Sequence, residues 1–118
     1  MHDFSYLDGI AEGQLRLQRC TACRTVRHLP SPMCANCHSV DWDEMPASGR
    51  GTVWAWVVNS RSSATPPPIL AIVELEEGPK LTTALVDVDA SSTKVGMPVQ
   101  AVYVEAEGIP LLQFSPAA

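Results

Sequence analysis

Short apolar stretches separated by turn sequences fill the second half of the chain and predict β-strands. Residues 52–59 carry β-branched and aromatic side chains at successive positions, which predicts a strand covered on both faces. Four further stretches predict strands at residues 69–75, 80–86, 99–105 and 111–114, the first two forming a hairpin. Five short strands within about 65 residues are typical of a small closed barrel, for which the OB-fold is the best-known solution.

The first half of the chain has a different pattern. Phe4, Leu7 and Ile10 recur every three residues and predict a short amphipathic helix, which Gly9 and Gly13 interrupt before a strand at residues 15–19. A helix this short is not stable alone, so its apolar face must pack on this chain or on another protein. The turn sequence at residues 48–51 then divides the chain into an N-terminal unit, 1–48, and a barrel unit, 49–118.

Two C-x-x-C pairs lie close together in the N-terminal unit, and the chain has no other cysteine: Cys20, Cys23, Cys34 and Cys37. A two-residue gap lets one tight turn present two thiolates to a metal, and two such turns complete a tetrahedral zinc site. A site with four protein ligands has no open position, so this zinc is predicted to be structural.

Disulfides and histidine ligands are the two chemical alternatives to a site with four thiolates. Disulfides need an oxidising compartment, and the first residues of the chain lack the basic and apolar regions of a signal peptide. His28 and His38 are near enough to replace a cysteine, but four thiolates suffice, so both are predicted to be solvated loop residues.

Composition narrows the possible functions. The 118 residues carry a net charge of −5 without a basic half, which argues against nucleic acid as a ligand. No apolar run approaches the ~20 residues that span a bilayer, so no membrane association is predicted and the expected location is the cytoplasm. Four arginines lie around the first cysteine pair: Arg16, Arg19, Arg24 and Arg27. They form either a solvated surface or a docking patch for an acidic partner or a phosphorylated cofactor.

The sequence does not predict an active site. The barrel unit contains neither histidine nor cysteine, and no phosphate-binding glycine motif is present. Trp54, Trp56 and Tyr103 could stack on bases, but packing in the core or on the barrel face is the favoured role of strand aromatics. The proline-rich residues 60–68 predict a stiff surface loop, with a partner-contacting arm as the alternative.

Several segments together resemble one known family. They are the lead-in at residues 13–20, the prolines Pro30 and Pro32 before the second cysteine pair, the junction at residues 48–53, the hairpin at residues 71–78, and residues 96–99. In order and spacing they are similar to the rubredoxin-like zinc ribbon plus OB-fold proteins, long known as a domain of unknown function and associated with acyl-CoA enzymes. Arg24 and His38 stand where that family often has glycine, and Leu29 replaces a proline.

The resemblance implies a mostly β protein: a short helix and a rubredoxin-like zinc ribbon followed by a five-stranded OB-fold barrel. It also implies a non-catalytic accessory subunit of a thiolase-like enzyme that performs acyl transfer, condensation or aldolase-type cleavage on acyl-CoA thioesters, for example in lipid or steroid side-chain metabolism. The catalytic residues would belong to the partner. Candidate contacts with it, and possibly with acyl-CoA at a shared interface, are Phe4, Leu7, Ile10 and the four clustered arginines.

Two other functions stay open at this point. A stand-alone acyl-CoA-binding protein would use the arginine cluster to hold the CoA phosphates. A nucleic-acid-binding OB module is disfavoured by the acidic charge balance.

Overall fold

The computed structural model describes residues 6–28 and 30–117, and the side chains from Asp8 onwards. The chain is mostly β, with one short helix, a ribbon sheet and a barrel, and this confirms the predicted fold class. The elements in chain order are α1 Tyr6–Ala11, β1 Arg16–Cys20, β2 Val26–Arg27, β3 Trp42–Pro46, β4 Arg50–Val58, β5 Ile69–Leu75, β6 Lys80–Leu85, a 3₁₀ turn Ala90–Ser92, β7 Pro98–Ala106 and β8 Ile109–Pro116.

A three-stranded antiparallel sheet in the order β2-β1-β3 forms the ribbon. The central strand β1 buries Leu17, Gln18 and Cys20, and a side-chain amide at such a position needs hydrogen-bond partners. The side-chain oxygen Oε1 of Gln18 accepts hydrogen bonds from the Arg27 guanidinium and from the backbone N–H of Ser31, the latter at 2.9 Å. This amide therefore ties β1 to β2 and to the loop that follows.

The barrel closes in the strand order β4-β5-β6-β8-β7. Its strands pair antiparallel except where β6 meets β8 at Leu85 and Phe114. Alternate residues of β5 point inward, as the period of two requires. The core combines these residues with side chains from the other barrel strands, from α1, and from the start of the ribbon: Ile10, Leu15, Leu17, Val53, Ile69, Ala71, Val73, Leu75, Leu81, Leu85, Val99 and Phe114.

The prediction that the strand at residues 52–59 is covered on both faces is wrong for this chain. Only Val53 of β4 is fully buried, while Trp54 and Val57 are exposed. The register shifts between Val53 and Ala55, and the barrel covers the inner face alone. Helix α1 packs against β7 and β8 and leaves the outside of β4 uncovered.

Strands β7 and β8 are longer than predicted and form one continuous hairpin. Their pairing extends to Ala106 and Ile109, joined by the two residues Glu107 and Gly108. Both turn residues have positive φ, 53° and 80°. This is the type I′ geometry that matches the twist of the flanking strands.

Helix α1 supplies one of the predicted contact residues to the core of this chain. Ile10 is 3% exposed and packs in the barrel core, so its assignment as a partner contact is wrong. Phe4 and the Leu7 side chain lie outside the described residues. No helix within the described ranges is long and apolar enough to cross a bilayer.

Candidate metal centre

The two C-x-x-C turns have the same backbone geometry. In the first, the Arg24 N–H donates to the Cys20 carbonyl at 2.8 Å and the Cys20 N–H donates to the Thr25 carbonyl at 2.9 Å. In the second, the His38 N–H donates to the Cys34 carbonyl at 2.8 Å, and the Cys34 N–H donates to the Ser39 carbonyl at 2.8 Å. Each turn thus presents its two sulfur atoms to the same side.

The residue after the second cysteine of each turn has a left-handed backbone conformation. Arg24 has φ 67° and His38 has φ 65°. This region favours glycine because a Cβ atom crowds the following carbonyl there. The sequence therefore places two ordinary residues in a conformation that glycine adopts without strain, at the two positions where the family often has glycine.

The four sulfur atoms converge. They lie within 4.8 Å of one another. The Cys20 and Cys37 sulfurs are 3.6 Å apart, and so are those of Cys23 and Cys34. Zinc–sulfur bonds of about 2.3 Å in a tetrahedron place sulfur atoms about 3.8 Å apart, whereas a disulfide needs about 2.05 Å. The spacing fits four thiolates around one zinc ion and does not fit disulfides.

The electrostatics of the sulfurs favour a bound cation. Side-chain hydrogen bonds from Asn36 and Thr25 lower the pKa of Cys23 to about 5, which favours the thiolate. A backbone hydrogen bond from Ser39 lowers the pKa of Cys37, but the neighbouring sulfurs raise it more, to about 12. Four crowded sulfurs cannot all be charged without a positive centre between them, and a divalent ion supplies that centre.

Thr25 and Asn36 were not singled out from the sequence. The Thr25 hydroxyl lies 3.1 Å from the Cys23 sulfur, and the Asn36 amide donates to that hydroxyl at 3.5 Å. Groups that contact metal ligands orient them and tune their affinity. Their positions, two after Cys23 and two after Cys34, are the only signal the sequence offered.

The two histidines lie apart from the sulfur cluster. Neither belongs to the group of residues that could hold a metal, which consists of the four cysteines. His38 is exposed, as predicted. His28 is half-buried beside Trp54 and Lys80, so the prediction that it is a solvated loop residue is wrong, and this burial lowers its pKa.

The predicted arginine cluster is largely occupied by contacts within the chain. Arg19 forms a two-pronged ion pair with Asp43 at 2.8 and 3.0 Å, and Arg16 contacts Glu12 at 3.3 Å. Arg27 donates to Gln18 and to the Ser31 carbonyl. Arg24 is exposed, whereas Arg16, Arg19 and Arg27 are partly buried.

The aromatic residues separate into different environments. Trp54 is exposed and carries the Lys80 ammonium 5.2 Å from its ring centre, while Trp56 is partly buried against the core. Tyr103 is partly buried, and its hydroxyl accepts a hydrogen bond from the Leu15 backbone N–H at 2.9 Å. The packing role predicted for Trp56 and Tyr103 is confirmed, whereas Trp54 lies outside the core.

A four-cysteine ribbon joined to a closed five-stranded barrel defines the class of zinc-ribbon and OB-fold proteins. Residues 7–43 match the family model described as the rubredoxin-like zinc ribbon domain of ChsH2, and residues 44–104 match the model of the C-terminal OB-fold domain of ChsH2. The chain belongs to this ChsH2 family, which confirms the resemblance predicted from its sequence segments.

Known proteins similar to this chain include an enzyme subunit and a scaffold protein. A probable enoyl-CoA hydratase alpha subunit of Thermomonospora curvata is 37% identical over 105 residues, covering 86% of this chain and 33% of the relative. A DUF35 domain-containing scaffold protein of Methanocaldococcus jannaschii is 32% identical over 90 residues, covering 72% and 64% of the two chains. The chain thus spans about a third of the hydratase subunit it matches.

A solved structure matches along the whole chain. A chain of the structure named Ltp2-ChsH2(DUF35) aldolase superposes with a TM-score of 0.88 at 34% identity, covering 100% of this chain and 98% of that one. The similarity therefore includes the ribbon, the barrel and their connection.

Proposed function

We propose that this chain is a non-catalytic accessory subunit that binds and supports a thiolase-like enzyme acting on acyl-CoA thioesters. The observation that carries the proposal is the match with nearly all of one chain in a structure named as an Ltp2-ChsH2 aldolase. One relative is named a scaffold protein, and the match covers 64% of its length. That name supports a structural role. The hydratase alpha subunit supports acyl-CoA as the substrate class of the complex.

The chemistry of the barrel supports placing catalysis in the partner. Residues 39–118 contain neither histidine nor cysteine, the side chains most used as general base and as thiol nucleophile. The four cysteines, which precede these residues in the ribbon, converge on one point and are suited to a metal ion. Condensation, acyl transfer or aldolase-type cleavage would then depend on residues of the partner enzyme.

The metal has a structural role in this proposal. Cys20, Cys23, Cys34 and Cys37 would hold one zinc ion and complete its tetrahedron. A complete tetrahedron stabilises the fold and leaves no position for substrate or water. The proposal also keeps the division into residues 1–48 and 49–118, and places the complex in the cytoplasm, where thiols stay reduced.

The contacts of the arginines weigh against a stand-alone acyl-CoA-binding protein. Arg19 and Arg27 already donate to groups of this chain, so they are not arranged to hold the phosphates of CoA. Arg24 remains the candidate contact of this cluster, now with a partner protein. The net charge of −5 likewise disfavours nucleic acid.

Co-expression with a thiolase-like enzyme from the genome that encodes this chain tests the proposal. We expect a stable complex in size-exclusion chromatography, with acyl-CoA turnover by the complex and none by this chain alone. A catalytically dead partner should abolish turnover without affecting assembly. Turnover by the isolated chain, or a partner that is equally soluble and active alone, would contradict the accessory role.

A further inference from the structure

The β7–β8 hairpin has two faces of different character. Val104 lies opposite Leu111, and Ala106 lies opposite Ile109. Since directly paired residues share a face, and since alternate residues of a strand do so too, these four side chains form one continuous stripe, here called the outer face. Tyr103 and its partner Leu112 lie on the opposite face and pack against the core.

The outer face is apolar and uncovered. Val104 is 37% exposed, Ile109 58% and Leu111 40%. The inner face already anchors the hairpin through Tyr103 and Phe114, so the exposed side chains are held on a well-fixed support. Apolar side chains grouped on a firm surface are the usual centre of a protein interface.

The edges of the hairpin are open as well. Strand β4 pairs with β7 only from Pro98 to Gln100, and β6 pairs with β8 only at Phe114. In the register of these described strands, residues 102–106 and 109–113 therefore pair only with each other. Strand edges left open beside exposed apolar side chains attract partner chains.

The charge of the hairpin selects the chemistry of the partner. Residues 95–118 contain two carboxylates, Glu105 and Glu107, and neither lysine nor arginine. Glu107 lies in the turn at the end of the outer face, whereas Glu105 alternates with Val104 and Ala106 and so shares the face of Tyr103. An interface on the outer face thus has an apolar centre, a carboxylate at its end and no basic residue, which complements an apolar groove that ends in lysine or arginine.

We propose that the outer face of the β7–β8 hairpin docks into such a groove on the partner enzyme, and this inference rests on the proposed accessory function. A second copy of this chain is a poor occupant, because a two-fold interface would join two hairpins that carry carboxylates and no basic residue. The exposed outside of β4 and β5 is the competing surface. At the border of that surface Lys80 pairs with Glu74 at 3.7 Å. These two charges are opposite, so the surface does not favour a partner of either charge.

Binding of purified variants to a thiolase-like enzyme from the genome that encodes this chain tests the surface. Ile109→Asp should weaken the complex at least about tenfold, since it places a charge at the centre of the apolar stripe, and the milder Leu111→Ser should weaken it about threefold. Val57→Asp on the competing surface and Val40→Asp, an equally exposed valine on the ribbon, should stay within about twofold of wild type. Zinc content and thermal midpoint show whether each variant is folded.

Charge reversal tests the chemistry of the groove. Glu107→Lys should slow association, and raising the salt concentration should slow wild-type association but not that of the variant. Faster association of the variant would mean that the groove of the partner enzyme ends in acidic residues, and would overturn the proposal. Weakening by Val57→Asp with none by Ile109→Asp would overturn the hairpin surface and leave the accessory function intact, whereas a wild-type chain that does not bind the enzyme at all would overturn both.

Discussion

The Tyr103 hydroxyl, on the barrel strand β7, accepts a 2.9 Å hydrogen bond from the backbone N–H of Leu15, just before the first ribbon strand. Leu15 is fully buried, and its carbonyl accepts from the Ala47 N–H at 2.8 Å on the other side of the junction. The Gln14 side chain adds a bond to the Ala47 carbonyl at 3.1 Å. These bonds join the segment before β1 to the segment after β3, and join both to the barrel.

Replacing Tyr103 with Phe should lower the free energy of unfolding by about 1–3 kcal/mol, because the buried Leu15 N–H loses its acceptor. The ring itself is retained, so the packing contribution changes little. Urea denaturation followed by tryptophan fluorescence measures the difference, and Ser63→Ala, which removes an exposed loop hydroxyl, is the control. Equal stability of Tyr103→Phe and wild type would show that water replaces the lost acceptor.

Local patterns were sufficient to predict most of the architecture. In β5 and β6 every second side chain is buried in the barrel, and the sequence shows this alternation directly. The predicted first and last residues of both strands agree closely with the observed ones. The cysteine spacing predicted a cluster that the structure brings together. Both features depend on residues near one another in sequence.

Features that depend on distant residues were predicted poorly. The apolar residues of β4 indicate burial on both faces, but nothing in the sequence shows which elements cover them, and only the inner face is covered here. Glu107-Gly108 lacks the usual asparagine or aspartate of a type I′ turn, so the full length of the hairpin was missed. The acceptor role of Tyr103 toward Leu15 joins residues that no local pattern connects.

Glycine in place of Arg24 or His38 should stabilise the ribbon, because both positions have left-handed φ. We expect a gain of up to about 1 kcal/mol at each site, partly offset by the greater backbone entropy of glycine in the unfolded chain. Thermal unfolding of the zinc-loaded protein measures this gain. Arg24→Ala and His38→Ala remove the side chains but keep a Cβ atom, so an equal gain in the alanine variants would contradict backbone strain as the cause.

The Arg50–Glu76 ion pair should give the barrel a small dependence of stability on pH. Arg50 donates to Glu76 at 2.8 Å, and these bonds lower the pKa of Glu76 below its ordinary value of 4.5. A carboxyl whose pKa is lower in the folded state stabilises that state above the ordinary value, and this contribution is lost as the pH falls through the lower one.

Glu76→Gln removes the carboxylate and should reduce the stability difference between pH 7 and pH 3 relative to wild type. The pair is exposed, so the effect should be small and should decrease at high salt. The midpoints of urea unfolding at both pH values measure it, with Glu105→Gln as the matched loss of an exposed carboxylate. An identical pH profile for wild type and Glu76→Gln would show that the pair contributes nothing to stability.

Zinc should be stoichiometric and should hold the ribbon sheet together. The ribbon buries only a few apolar residues of its own, whereas structural zinc contributes about 10–16 kcal/mol of apparent binding free energy in small zinc-finger peptides. Cys34→Ser replaces a buried ligand with a hydroxyl, which binds zinc poorly. We expect near-complete loss of zinc in elemental analysis and loss of amide-exchange protection in β1–β3, with protection retained in β5 and β6.

His38→Ala alters a neighbour of Cys37 that lies outside the sulfur cluster, so it should keep one zinc per chain. Wild-type protein with oxidised cysteines and no metal, or a Cys34→Ser variant with an intact ribbon, would contradict the zinc site.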